Sequence, residues 1–277
     1  MIISFNAYRG GNGKTTLAIN LAYMLARQDK KILLMDSDGG APALQDYLWN
    51  LIPAERRPQR FYVDYLMREK EVEFEECIAT AEANGTTFDV VFVAPKRGVS
   101  PEALLAIQRR EFGLLSEEYR RLADAFDYAV NRGYHHVLVD ASCGYDICNL
   151  MIVASVSEMI VLVARAHKID LEETLVYNFM GIRQLLEEKL KMYPMSRGFV
   201  KLIVNEVVDP IFTQEVVNDI LETNQIPKRS VEDSILGKVK YYPELRLDRN
   251  PAIFCASNPT HPLTKQLNDI ASKISQM

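Results

Sequence analysis

Residues Tyr8 to Thr16, "YRGGNGKTT", decide how this chain is read. Gly10, Gly11 and Gly13 let the backbone turn tightly and point its N–H groups inward, and a helical pattern from about Lys14 adds the positive end of a helix dipole. Such an arrangement binds phosphate. In the generic loop, G-x-x-x-x-G-K-[ST], the lysine reaches the β- and γ-phosphates and the next hydroxyl reaches magnesium. Lys14 and Thr15 stand at those positions, but Tyr8 replaces the first glycine, and Arg9 adds a cation where the generic pattern asks for nothing.

The surroundings suit the loop. Before it runs the apolar "IISFNAY" (2 to 8); after it Leu17, Leu21, Ala22, Leu25 and Ala26 form one helical stripe, followed by "KILLMD" (31 to 36). Further apolar runs are "DVVFVAP" (89 to 95), "HVLVDA" (136 to 141), "MIVLVA" (159 to 164) and "KLIVNEV" (201 to 207). Runs this continuously apolar fit strands buried on both faces. Strand, helix, strand, repeated, predicts a parallel twisted sheet with helices on both sides and ligands beyond the carboxyl ends of the strands.

Composition excludes other classes. With 277 residues, 48% hydrophobic and 25% charged, the chain has the balance of a globular protein and reads as one domain over 1–277. A formal net charge of −5 gives no global attraction to nucleic acid or anionic membrane. No basic leader opens it and no apolar run is long enough for a membrane span, so it reads as cytoplasmic. Cys77, Cys143, Cys148 and Cys255 contain no C-x-x-C pair and read as reduced thiols.

"RGGNGKTT" is similar to the K-G-G-x-G-K-[ST]-T deviant Walker A loop of the MinD/ParA family of ATPases. The resemblance implies an α/β three-layer sandwich of the P-loop type that binds ATP and Mg2+. In that family the first glycine position is often another residue, and a signature lysine, here Arg9, reaches the phosphates of a second subunit. Arginine keeps the charge but changes the geometry. By the same match Arg9, Gly10, Gly11, Asn12, Gly13, Lys14, Thr15 and Thr16 hold nucleotide. "LLMDSDGG" (33 to 40) resembles the family's D-x-D segment, so that Asp38 would orient the attacking water and help to hold the metal, and Asp36 would support the site. "HVLVDASCG" (136 to 144) resembles a Walker B strand with Asp140 as a magnesium ligand alongside Thr15, and with Gly144 offering an amide to phosphate. Ala141 and Ser142 depart from the family's D-[ST]-P-x-G. Asn205 matches the adenine-reading asparagine, and "YPE" (242 to 244), with Pro243, the segment near the base.

The stretch from about 41 to 88 is less regular and reads as an elaboration, with "MREKEVEFEECI" (67 to 78) as a charged helix. Its basic "ERRPQR" (55 to 60), followed by Phe61 and Tyr62, has the composition of a DNA contact or of a solvated loop; the neighbouring acidic residues argue for the loop. In the last helix Leu263, Leu267, Ile270 and Ile274 share a face. Packing against the sheet is favoured over a membrane surface, because the stripe is short and its polar face is not strongly basic. The family resemblance implies a slow ATPase switch that forms an ATP-dependent homodimer and binds an unidentified protein partner. A small-molecule kinase or ligase on the same loop, and a nucleotide-holding protein without hydrolysis, are the alternatives.

Overall fold

The computed structural model describes residues 1–38, 42–67, 72–94, 117–144, 157–192, 199–246 and 253–277. Gly39, Gly40, residues 68–71, Pro95 and Cys148, on which readings above touch, lie outside them. Strands β1 (Ile2–Ala7), β2 (Ile32–Asp36), β3 (Ile78–Ala83), β4 (Thr86–Val91), β5 (His136–Cys143), β6 (Met159–Arg165), β7 (Phe199–Val207) and β8 (Ile235–Lys240) form one sheet. Its order is β3-β4-β2-β5-β1-β6-β7-β8, and every neighbouring pair is parallel except β3 with β4.

The helices are α1 (Lys14–Ala26), α2 (Leu44–Leu48), α3 (Tyr62–Met67), α4 (Glu117–Asn131), α5 (Lys168–Glu173), α6 (Met180–Met192), α7 (Pro210–Thr223), α8 (Lys228–Glu232), α9 (Phe254–Ser257) and α10 (Pro262–Ser275). Side-chain alternation along the strands divides them between the two faces. Ile3, Phe5, Leu34, Leu138, Val161 and Val163 pack with α1, α9 and α10. Leu33, Met35, Val137 and Val139 meet α3 and α4, while Ile160, Leu162, Ala164 and Leu202 meet α5 to α8. Helices, sheet and helices make three layers, as the alternation of apolar runs predicts.

Three local expectations change. α1 is buried from Leu17 to Leu25 rather than along one stripe, because α10 covers the side that the sheet does not. The charged helix expected at 67 to 78 is absent from its described part, where Phe74–Cys77 is a single 3-10 turn leading into β3. β3 folds back on β4 through Asn84 and Gly85, both with left-handed backbone (φ 47° and 74°), the two-residue turn that matches strand twist. β8, not anticipated among the apolar runs, is a short strand whose Gly237 lets Ile270 of α10 approach closely.

The apolar face of α10 packs as expected: Leu263, Leu267, Ile270 and Ile274 are buried against α1 and β8. No helix among the described residues is long and apolar enough to cross a membrane. In the 55–60 loop, Arg56 pairs with Glu82 at 3.3 Å, Arg60 with Glu76 at 4.0 Å, and Arg57 lies 5.0 Å from the Trp49 ring centre. These internal partners favour a structured surface loop over a phosphate contact.

Topology now places the site. β1 lies between β5 and β6, so the chain leaves it in one direction and returns on its other side. In open α/β sheets this reversal opens a crevice at the carboxyl ends of the strands. The loop after β1 lies there, flanked by the ends of β2, β5 and β7.

Candidate functional site

The loop between β1 and α1 turns on two left-handed glycines, Gly11 (φ 80°) and Gly13 (φ 83°). At Gly13 the requirement is double, because a β-carbon would also collide with the Asn205 side-chain nitrogen. Gly13 serves as N-cap of α1, and its carbonyl accepts the first helical bond from the Leu17 N–H at 2.9 Å. Asn12 is buried and braces the loop from inside: its Nδ2 donates to the Val163 carbonyl of β6 at 3.3 Å, and its own carbonyl accepts from Asn205 Nδ2 at 2.8 Å. Gly10 and Gly11 remain exposed, and Thr16 is half-buried, its carbonyl accepting from Asn20 Nδ2 at 2.8 Å.

Lys14, Thr15 and Asp140 meet although more than a hundred residues separate them in sequence. Lys14 Nζ donates to Asp140 Oδ1 at 2.5 Å, and Thr15 Oγ1 donates to Asp140 Oδ2 at 2.7 Å. Lys14 is 6% exposed and Asp140 1%, so the pair is withdrawn from water. Burial pushes the Asp140 carboxyl upward, against the pull of the Lys14 charge and the two hydrogen bonds. A buried ion pair of this kind strongly resists losing one partner, since the other would be left uncompensated.

Asp36 ends β2 and Asp38 lies two residues beyond it; the strand register sets Asp36 opposite Asp140. Asp36 is fully buried and acts as a backbone clamp. Its carboxylate accepts from the N–H groups of Asp38 (3.0 Å), Ala43 (3.2 Å) and Leu44 (3.3 Å), tying the segment after β2 back to the strand end. Burial, followed by the neighbouring Asp140, raises its pKa to about 7. Asp38 is 9% exposed and close enough to bias the titration of both Asp36 and Asp140. Asp36, Asp38, Asp140 and the Lys14 ammonium thus line one end of the crevice, but among the described residues no group of three or more acids, histidines or cysteines is arranged to hold a metal ion.

Other expected residues are less directly convergent. The Gly144 N–H donates to the Ala7 carbonyl at 2.9 Å, so β1 occupies the amide expected to face phosphate. Pro243 is exposed in a 3-10 turn, and neighbouring Glu244 accepts from His261 at 3.0 Å if Nε2 carries the proton. The other ring nitrogen, Nδ1, accepts from the Leu263 N–H at 3.1 Å and caps α10, which fixes that tautomer.

The residues that sequence reasoning missed lie on one helical run. α5 and α6 are joined by a π-turn over Thr174–Phe179, a distortion frequent at functional sites. Arg9 donates from Nε (2.5 Å) and Nη2 (2.6 Å) to the two carboxylate oxygens of Glu173 and lies 4.0 Å from Asp170. Tyr8 stacks on Tyr177 with ring centres 5.6 Å apart, and Asn6 accepts from Asn178 at 3.1 Å. Only the paired acids in "IDLEETLVYNF" signalled this contact, and a solvated helix face explains such acids equally well.

Comparisons with known proteins bear on the family and the fold. The AAA domain family matches residues 1–192. A stretch of 47 residues is 45% identical to an uncharacterized ATP-binding protein of Methanocaldococcus jannaschii; it spans 17% of this chain and only 18% of that protein's length. The MinC:MinD cell division protein complex of Aquifex aeolicus superposes with TM-score 0.67 at 19% identity, covering 100% of this chain and 96% of that one. The septum site-determining protein MinD of Pyrococcus horikoshii, in complex with Mg-ADP, gives TM-score 0.67 at 18% identity, with 99% and 95% covered. At such identities the structural likeness speaks for the fold.

Proposed function

The chain belongs to the AAA domain family and has the fold of the MinD ATPases, and from that premise we propose that it is a cytoplasmic, magnesium-dependent, slow ATPase acting as a dimerisation switch. The observation that carries the reading is the convergence of Lys14 and Thr15 on the two oxygens of Asp140 at the sheet's carboxyl edge. A hydroxyl and a buried carboxylate are hard oxygen donors that suit magnesium, and an ammonium beside them suits a phosphate. Thr15 and Asp140, the latter through a water, would hold the ion, whose chemistry there is to neutralise charge on the phosphates.

The loop amides from Gly10 to Thr16 would wrap the phosphates. Lys14 would exchange its contact with Asp140 for phosphate oxygens, and Gly144 would have to release Ala7 to add its amide. Asp38 would orient the attacking water beside the metal, while Asp36 keeps the segment that carries Asp38 against β2. Positioning and charge stabilisation supply most of phosphoryl transfer, so Asp38 need not be a strong base. Asn205, already bonded to the loop, and Pro243 would contact the adenine, and Arg9 would reach the phosphates of a second subunit. The output would be binding to a partner protein.

Light scattering on the Asp38→Ala variant tests the switch. With Mg-ATP its dimer fraction should rise severalfold over the nucleotide-free sample, and an unchanged fraction sinks the reading. Turnover measured beside it should be lost in both Lys14→Ala and Asp38→Ala. A wild type as inactive as the two variants would instead identify a protein that holds nucleotide without hydrolysing it.

A further inference from the structure

β1 presents unlike side chains to its two sides. Ile3 and Phe5 join the apolar core under α1, whereas Ser4 and Asn6, both buried, meet polar partners. At Asn6 the pairing of β1 with β5 is irregular: Phe5 lies opposite Asp140 and Ala7 opposite Cys143, so Asn6 alone faces Ala141 and Ser142. Such a bulge interrupts the ladder and is common beside active sites. The Asn6 side chain bridges the interruption, its Nδ2 donating to the Ser142 carbonyl at 3.3 Å. Two residues beyond Ser142, the Gly144 N–H is held on the Ala7 carbonyl.

A carbonyl only accepts, so Ser142 fixes which end of the Asn6 amide faces it. The Asn6 Oδ1 is then left for the π-turn, where Asn178 Nδ2 donates to it at 3.1 Å. Asn178 is fully buried, and its own Oδ1 has no hydrogen-bond partner among the described residues. An unpaired buried oxygen is costly, and the bond donated to Asn6 offsets part of that cost.

We propose that Asn178 and Asn6 form a latch on the loop after β5, keeping it in the arrangement that withholds the Gly144 amide from phosphate. Asn6 holds the Ser142 carbonyl, and Asn178 is a positioning residue that acts through Asn6. This rests on the reading of Tyr8 to Thr16 and Gly144 as a phosphate site, and it adds to that site a means of telling two nucleotides apart. An amide offered to the terminal phosphate serves ATP and not ADP, so a triphosphate binds against the latch and a diphosphate leaves it closed.

Calorimetric titration of the full chain, at one protein concentration throughout, compares Mg-ADP with the magnesium complex of an ATP analogue whose β,γ-bridge is an imido group. Asn178→Leu and Asn6→Leu nearly keep the side-chain size and remove the hydrogen bonds. Each should bind the analogue about two- to tenfold more tightly than wild type, the worth of one hydrogen bond, with ADP affinity unchanged. The double variant should be no tighter than Asn6→Leu, because Asn178 acts through Asn6. Altered packing alone would move both nucleotides together, so an unchanged ratio of the two affinities overturns the inference, as does weaker analogue binding or additivity in the double variant. Asn178→Ala and Asn6→Ala repeat the comparison with smaller side chains, and thermal melting of each variant checks that it is folded. A folded wild type that takes up neither nucleotide would instead overturn the phosphate-site reading itself.

Discussion

At the start of β5, His136 is buried, and burial, the N-terminal ammonium, Lys30 and His135 lower its pKa to about 4. The unfolded chain would take up a proton near pH 6.5, well before the folded one does. Stability contributed by the neutral ring is therefore complete above pH 6.5 and falls as the pH drops toward 4. Asp36, raised to about 7, works in the opposite sense, because the folded state favours its neutral form and loses that advantage as the pH rises from about 4 to 7. The two effects overlap in one window, so the His136 contribution is read by difference. Between pH 7 and 4.5, wild type should lose about 2 kcal/mol more stability than His136→Val, measured by urea unfolding. Parallel losses in the two proteins would assign the acid sensitivity elsewhere.

Among the elements, α7 shows how a local signal secures a helix. Asp209 accepts from the N–H groups of Ile211 (2.8 Å) and Phe212 (3.1 Å), and Pro210 occupies the first turn, where its missing N–H has no helical partner to lose. Asp209→Ala should lower stability by about 1 kcal/mol and Asp209→Asn by much less, as urea midpoints would report. Equal loss in both variants would mean that charge, rather than the cap, is what matters. Local signals of this kind explain which parts of the molecule were legible. The glycine-lysine loop, Asp36, Asp38 and Asp140 stand at strand ends that apolar runs announce, so topology alone gathers them. β3 was obscured because the charges of "EFEECIATAEA" outweighed the Asn84-Gly85 turn signal, and β8 because an edge strand with Gly237 and two lysines lacks a continuous apolar run. Glu173 and Tyr177 could not be found locally. Their partners, Arg9 and Tyr8, follow β1, distant in sequence, and the parallel pairing of β1 with β6 brings the segments after the two strands together.

At the scale of the whole molecule, a nucleotide bound at the proposed site would report on the architecture. The candidate site draws Lys14 and Thr15 from α1, Asp36 from β2, Asp140 from β5 and Asn205 from β7, so four positions in one sheet order and its covering helix converge on it. α1 is in turn clamped by α10 and by the Asn20 contact to the Cys255 N–H at 2.9 Å, which ties the carboxyl-terminal segment to the same loop. A ligand gripping those elements stabilises the folded chain without touching the unfolded one. At a free Mg-ATP concentration one hundred times its Kd, the expected gain is about 2.7 kcal/mol. Tyrosine fluorescence and far-ultraviolet circular dichroism should shift together in thermal melts, because the strands that hold the ligand also form the centre of the sheet. Lys14→Ala should abolish the shift, since its buried ammonium faces Asp140 and would contact the phosphates. Replacing magnesium by chelator should reduce it, by leaving the phosphates to face Asp38 and Asp140 uncompensated. A shift confined to one probe would mean that nucleotide steadies only part of the fold, and an undiminished shift in Lys14→Ala would move the nucleotide away from this loop.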